Sequence, residues 1–417
     1  MAIIGTICPN LPGHLNPLTT LCRELQRRGH RVIFYQVPMA AEKIRARGFE
    51  VRCFGEKEYR PEEVLKNRQV AAALSGYKAF RYTREAVIRG IGVIIRQVPA
   101  MLREDNVELM LVDQLSMGGG TTAELAGVPF LSICAALMIN RDELAPPFFT
   151  NWAYRSDRIG GLRNWAGNTF FEVFGRPVLR TLNDLRREHG VRPLEHMWQE
   201  YSKLGQIAQQ PPEFEFRRRA LPENFHFTGP WHDPSSRPAV EFPFEKLDGR
   251  PLVYASMGTL QNRQHFIFGV IAEACAGLDV QLVLSLGGGG KPEDLAKLAG
   301  KPIVVEFAPQ LELLKRAAMC ITHAGLNTAL ECLSNGVPML AIPIANDQPG
   351  VAARIVWTGT GEMVPLSKLS TANLRTEVRR VLGDPRYWDR ARKLQEAVRS
   401  RDGISMAADL IEKALPR

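Results

Sequence analysis

At 417 residues the chain is too long for one ordinary domain, so two or three are expected, and 45% hydrophobic with 23% charged residues excludes a disordered chain. The formal net charge of +9 admits nucleic acid, an anionic membrane surface or an anionic small ligand. The basic residues are scattered, clustering only briefly at Arg27-Arg28 and Arg217-Arg218-Arg219, and no zinc spacing, helix-turn-helix or aromatic RNA-binding motif accompanies them, which argues against nucleic acid.

Strand-like residues begin at Ala2 with no basic stretch leading into a long apolar run, so no signal peptide is expected. In the first half, strands are predicted over Ala2–Cys8, His30–Gln36, Val51–Phe54, Leu109–Val112 and Phe130–Cys134. Asn16 is placed to cap a helix with Pro17 at its first position, stopping at Gly29. The stretch 86–102 carries Val87, Ile91, Ile94, Ile95 and Val98 interleaved with Arg89, Arg96 and Arg103. It reads first as a helix packed on the core, and its basic, apolar character also suits a peripheral membrane contact. Between Glu124 and Arg141 lies the longest charge-free run; Pro129 interrupts it, and it is shorter than the roughly 20 residues of a membrane span. Trp152, Tyr154, Trp165, Phe170, Phe171 and Phe174 then form an aromatic segment, part of it core, that suits an apolar acceptor and shares the expected membrane contact with 86–102.

Pro- and charge-rich sequence from Gln210 through Asp233–Pro243 reads as a linker. Beyond it, strands are predicted over Leu252–Ser256, Gln281–Leu286, Ile303–Phe307, Met319–Thr322 and Met339–Pro343, with a helix from near Gly325 to Asn335-Gly336. Short apolar runs alternating with amphipathic stretches indicate two doubly wound α/β domains with parallel sheets facing across a cleft, residues 1–222 and 223–417. Gly287 to Gly290 lacks the Lys-Ser/Thr of a phosphate loop and reads as a flexible rim of the cleft. The seven cysteines (Cys8, Cys22, Cys53, Cys134, Cys275, Cys320, Cys332) are odd in number and form no Cys-x-x-Cys pair, which fits a reduced, cytoplasmic compartment.

Ligands of open parallel sheets bind beyond the carboxyl ends of the strands. The polar residues expected there are His14 and Asp113 in the first half, and Thr259 after Gly258, Gln310, His323 and Asp347-Gln348 in the second. The helix start at Gly325 offers unpaired N–H groups and a positive dipole end to an anion, with Asn327 and Thr328 in its first turn. Glu331, one turn on, is suited to accept hydrogen bonds from a vicinal diol such as ribose.

Phe307-Ala308-Pro309-Gln310, His323 to Thr328, Glu331, Gly336-Val337-Pro338 and Asp347-Gln348 together resemble the donor-binding box of the family 1 UDP-glycosyltransferases, which have the GT-B fold. Gly13-His-Leu-Asn-Pro17 and Asp113 resemble the family's acceptor-side signature. The resemblance implies an acceptor-binding first domain, a nucleotide-sugar-binding second domain, and a last helix that packs back on the first. It implies Phe307 against the uracil, Gln310 beside the base, and His323, Asn327 and Thr328 on the diphosphate, with Glu331 on the ribose. Asp347 and Gln348 fall where the family binds the sugar. Leu326 departs from the plant version, which has Trp there. His14 would be the general base and Asp113 its orienting partner, giving inversion without a metal or a separate cofactor.

Leu221–His226, Ser256–Gln261, Asn140-Arg141-Asp142 with Pro146-Pro147, and Asp347–Arg354 look most like the carotenoid branch, the zeaxanthin glucosyltransferases. The partners implied are a UDP-sugar, with glucose as the expected hexose, and a lipophilic hydroxylated acceptor such as a carotenoid diol. A polyphenol or macrolide acceptor stays open. A UDP-sugar epimerase or a non-catalytic nucleotide-sugar binder would share the fold, but neither has a use for the His14–Asp113 pair.

Overall fold

The computed structural model describes residues 1–233, 240–260, 262–295 and 297–416. Part of the expected linker, 234–239, and Gln261 at the end of the Ser256–Gln261 run lie outside the described residues.

The first sheet has seven parallel strands: β1 (Ile3–Ile7), β2 (Arg31–Gln36), β3 (Glu50–Cys53), β4 (Leu109–Asp113), β5 (Phe130–Cys134), β6 (Gln206–Ala208) and β7 (Phe225–Phe227), in the order β3-β2-β1-β4-β5-β6-β7. The second has six: β8 (Leu252–Ser256), β9 (Gln281–Ser285), β10 (Ile303–Val305), β11 (Ala317–Thr322), β12 (Met339–Ala341) and β13 (Gly361–Met363), in the order β10-β9-β8-β11-β12-β13. Helices cover both faces of each sheet, so strands such as β4, β8 and β9 are buried along their whole length and read as unbroken apolar runs. The order reverses between β1 and β4 and again between β8 and β11, which opens a crevice at the carboxyl end of each sheet.

Six helices bear on the site: α1 (Pro12–Arg27), α2 (Gly76–Glu104), α3 (Arg158–Glu188), α4 (Leu326–Asn335), α5 (Gln348–Thr358) and α6 (Gly403–Lys413). The ten expected strands are present. β6, β7 and β13, three residues each, were not expected, and β7 carries the first sheet past residue 222. α6 returns to the first half, where Ala407, Ala408 and Ile411 share a buried core with Ile4, Leu18, Leu21 and Leu25.

The start of α1 corrects the sequence reading. The helix begins at Pro12, not after Asn16, and Pro17 lies inside it. Asn16 does not cap; its Oδ1 accepts from Arg47 Nη2 at 3.0 Å. Residues 86–102 belong to α2, where Ile91, Ile94, Ile95, Val98 and Leu102 are buried, so this apolar face gives a membrane nothing to hold. Among the described residues no helix is long and apolar enough to cross a membrane, and all seven thiols are unbridged.

Candidate functional site

β1 and β4 run side by side with Ile7 opposite Val112, so the first turn of α1 and the last residue of β4 meet at the switch point of the first sheet. There His14 Nδ1 lies 2.8 Å from Asp113 Oδ2. Asp113 is fully buried and its Oδ1 accepts from the Leu115 N–H at 2.9 Å, which fixes the carboxylate behind the ring. With Asp113 ionised, Nδ1 carries the proton and Nε2 the free lone pair. Burial alone would lower the imidazole's pKa; the charge and hydrogen bond of Asp113 outweigh it and hold the pKa above the ordinary value, with Asp347 acting in the same direction.

The second sheet's switch point is built on glycine. Gly258, just past β8, has φ +73°, and a Cβ there would fall 2.5 Å from His323 Nε2. A Cβ on Gly325 would also fall 2.5 Å from that atom, so the ring is held between two residues without side chains. Ala324 between them has φ +64°, a left-handed conformation that a residue with a Cβ adopts at a cost. Burial drives the His323 pKa down to about 4, so the ring is neutral at pH 7, and its Nδ1 is a buried polar atom with no protein partner.

α4 starts at Gly325 and ends on Gly336 in the left-handed region. On its inner face Glu331 is 1% exposed and accepts from Gln310 Nε2 at 2.7 Å, while Gln310 Oε1 accepts from the Tyr254 hydroxyl at 3.0 Å. The same Gln310 amide lies 3.3 Å from Thr328 Oγ1. Gln310 therefore orients Glu331 as well as facing the cleft. Phe307, 48% exposed, rests on Gly288, where a Cβ would come 2.8 Å from the ring. The glycine rim thus packs against the aromatic face.

Asn327 crosses the cleft. Its Nδ2 donates to the Gly13 carbonyl at 2.7 Å and its Oδ1 accepts from Gln209 Nε2 at 2.7 Å. A second contact joins the halves where Asp347 Oδ2 accepts from the Leu137 N–H at 3.2 Å. Burial pushes the Asp347 carboxyl up from its ordinary pKa, against the pull of that N–H and of His14. Asn346 beside it has φ +56° and joins Thr83 Oγ1 at 3.2 Å. Gln348 turns its Oε1 inward to accept from the N–H groups of Ile344 and Ala345 at 2.8 and 2.9 Å, bracing the turn that carries Asp347.

His14, Gly258, Thr259, Phe307, Gln310, His323, Gly325, Asn327, Thr328, Glu331, Asp347 and Gln348 all line one cavity of about 2060 Å³, and Asp113 stands behind His14. Four phenylalanines, Phe80, Phe148, Phe171 and Phe174, form part of the first-half wall of that cavity. Phe80 stacks on Phe174 with centroids 4.6 Å apart, and Phe148 meets Phe171 edge-on at 5.1 Å. The aromatic segment therefore divides: Phe171 and Phe174 line the cavity, Tyr154 stacks on Phe216, and Trp165 and Phe170 point outward. Among the described residues no three His, Cys, Asp or Glu side chains cluster as a metal centre.

Gln209 escapes the sequence reading because it follows β6, whose sequence Gln-Ile-Ala is not an apolar run. Arg354 was missed as well. It is fully buried on α5, and its Nε and Nη2 reach both oxygens of Glu215 at 3.0 and 2.5 Å. One turn earlier a Cβ on Gly350 would fall 2.0 Å from the Phe148 carbonyl, so only glycine lets the two halves approach there.

A family model described as UDP-glucoronosyl and UDP-glucosyl transferase matches residues 204–401. The chain is 32% identical to a zeaxanthin glucosyltransferase of Pantoea ananas, over 100% of this chain and 96% of that one. It is 29% identical to the zeaxanthin glucosyltransferase of Pseudescherichia vulneris, over 100% and 98%. Among solved structures, the glycotransferase of kitacinnamycin superposes with a TM-score of 0.75 at 23% identity, covering 100% of this chain and 99% of that one.

Proposed function

The chain belongs to the UDP-glucoronosyl and UDP-glucosyl transferase family and is a glycosyltransferase with the GT-B fold, and we propose that it transfers glucose from UDP-glucose, with inversion and without a metal, to a hydroxyl of a lipophilic acceptor such as a carotenoid diol.

The observation that carries this reading is the His14–Asp113 pair, opening on the same cavity as the α4 N-terminus. An alcohol attacks an anomeric carbon poorly unless a base takes its proton as the new bond forms. His14 Nε2 accepts that proton while Asp113 holds the tautomer and stabilises the imidazolium. The acceptor oxygen bonds to the anomeric carbon and the bond to the β-phosphate oxygen breaks, its electron pair leaving with UDP. A single displacement from the face opposite the leaving group inverts the centre. Charge growing on the diphosphate meets the N–H groups and dipole of α4, with Asn327 and Thr328 in its first turn and neutral His323 before it. Glu331 takes the ribose hydroxyls, Gln310 and Phe307 the base, Asp347 and Gln348 the sugar, and Gly258-Thr259 closes the floor. The phenylalanine wall and the zeaxanthin glucosyltransferase relatives support an apolar acceptor.

The test is a UDP-release assay with UDP-glucose, run with and without a panel of carotenoid diols, flavonoids and macrolides, with products read by mass spectrometry. Acceptor-dependent UDP release that survives EDTA, with a carotenoid glucoside as product, is expected. Release that needs added Mg²⁺ or Mn²⁺, or turnover of UDP-glucose to an epimer, would defeat the reading.

A further inference from the structure

α3 has a second apolar side. Ile159 is 66% exposed, Leu162 68%, Trp165 53%, and Phe170 and Val173 48% each. Spacings of three, eight and three keep Ile159, Leu162, Phe170 and Val173 on one stripe, with exposed Ala166 between Leu162 and Phe170, while Asn164, Gly167, Asn168 and Phe174 face inward. Tyr77, 59% exposed in the first turn of α2, meets the inward-facing Phe174 edge-on at 6.0 Å. A contiguous patch of this size is not the scattered exposure of an ordinary surface.

Two further features say what covers it. Val173 belongs both to the outer stripe and to the wall of the cavity, so the stripe reaches the mouth of the cleft there. The stripe is also flanked by exposed Lys78, Arg81, Arg158 and Arg176, none of which has a carboxylate within ion-pair distance among the described residues. The nearby acids are already engaged, Asp157 by Arg155 and Glu172 by Arg141. Apolar side chains ringed by uncompensated positive charge match an interface of acyl chains below anionic headgroups. A folded protein seated there would cover the opening at Val173; a fluid bilayer would not.

We infer that the outer face of α3 docks on an anionic lipid bilayer, and that the acceptor passes from the bilayer into the cleft beside Val173. This rests on the lipophilic acceptor proposed above. Of the two segments the sequence offers for a membrane contact, 86–102 has its apolar face buried, which leaves the contact to α3 and the aromatic segment it carries.

Co-sedimentation with vesicles tests it. The protein is expected to bind phosphatidylglycerol–phosphatidylcholine vesicles, to bind phosphatidylcholine alone weakly, and to be released as salt rises. The variant Ile159→Ser/Leu162→Ser/Trp165→Ser should partition about tenfold less or worse, since three inserted side chains are lost. Lys78→Gln/Arg81→Gln/Arg158→Gln should lose the preference for anionic lipid. Both should keep the parent unfolding temperature and the parent rate on a water-soluble phenol. Equal partition of all three proteins overturns the inference. Self-association without vesicles that the serine variant abolishes also overturns it, since the face would then join two copies of the chain. Vesicle binding that persists when no acceptor is turned over supports the docking and counts against the acceptor reading alone.

Discussion

The side-chain amide of Asn327 donates to the carbonyl of Gly13 at 2.7 Å, 314 residues away in sequence and on the opposite wall of the cleft. That carbonyl is available because of Pro17. In α1 the Gly13 oxygen would accept from the N–H four residues on, and proline has none. The proline inside the helix thus frees an acceptor at the base-bearing turn, and a residue from the donor half takes it.

Asn327→Ala removes the donor to the Gly13 carbonyl and one of two partners of the Gln209 amide, which still donates to the Ala135 carbonyl; the loss should be about 1 kcal/mol. A lower unfolding temperature and a larger radius of gyration by small-angle scattering are expected. If both match the parent protein, Asn327 does not tie the halves together.

Asp113→Asn should lower turnover and move the pH profile. The base works when neutral, so the acid limb of kcat follows the His14 pKa, which Asp113 raises. Without that charge burial dominates and the limb shifts to lower pH, while the plateau falls because the tautomer is no longer fixed. His14→Ala should cost about 10²–10⁴-fold on the plateau, with UDP affinity nearly unchanged. An acid limb in Asp113→Asn at or above the parent position would contradict the assignment.

His323 makes a separate, pH-dependent contribution to stability. Its folded pKa of about 4 lies below the ordinary 6.5, so the fold favours the neutral ring. That stability is fully present above pH 6.5 and is lost as pH falls toward 4, by as much as about 3 kcal/mol at 1.36 kcal/mol per pH unit. His323→Asn should flatten the unfolding temperature across that window. Parallel curves for variant and parent would remove His323 as the cause.

Arg354 and Glu215 form a buried, two-bond ion pair between the halves, and the Arg354 guanidinium stacks over Phe216 at 4.3 Å. Removing one partner strands the other, a loss of about 3–5 kcal/mol. Glu215→Gln should therefore lower the unfolding midpoint in urea far more than Glu143→Gln, whose partner Arg219 is exposed. Similar midpoints would show that the buried pair is not what holds α5 to the first half.

Much of this was legible because a doubly wound fold writes itself in long apolar strands and glycine turns. β1, β4, β8 and β11 are such runs, and the residues just past them form the cavity. β6, β7 and β13 left no trace, since each mixes a polar or glycine residue into three positions, whereas the equally short β10 and β12 are wholly apolar. At the start of α1 two prolines offer two first positions, and the local pattern favours Pro17 because a proline inside a helix gives up a backbone hydrogen bond, here the one to Gly13 whose place Asn327 takes. The stretch 86–102 and α3 are both amphipathic and basic; which one faces solvent depends on what packs against it. Arg354 sat within a recognised run, but its contact with Glu215 is tertiary.

The return of α6 to the first half bears on how the chain is made. Arg28 binds Asp409 at 2.5 Å across 381 residues of sequence, and Ile411 fills a core that β1 and β2 begin. A ribosome delivers the first domain early but withholds the helix that completes it until the second domain has been made. Until then Leu18, Leu21 and Leu25 lack their covering helix. The nascent first domain is therefore the species on which a chaperone would act, and a stop codon ahead of Gly403 would cause misfolding in the half of the protein translated first.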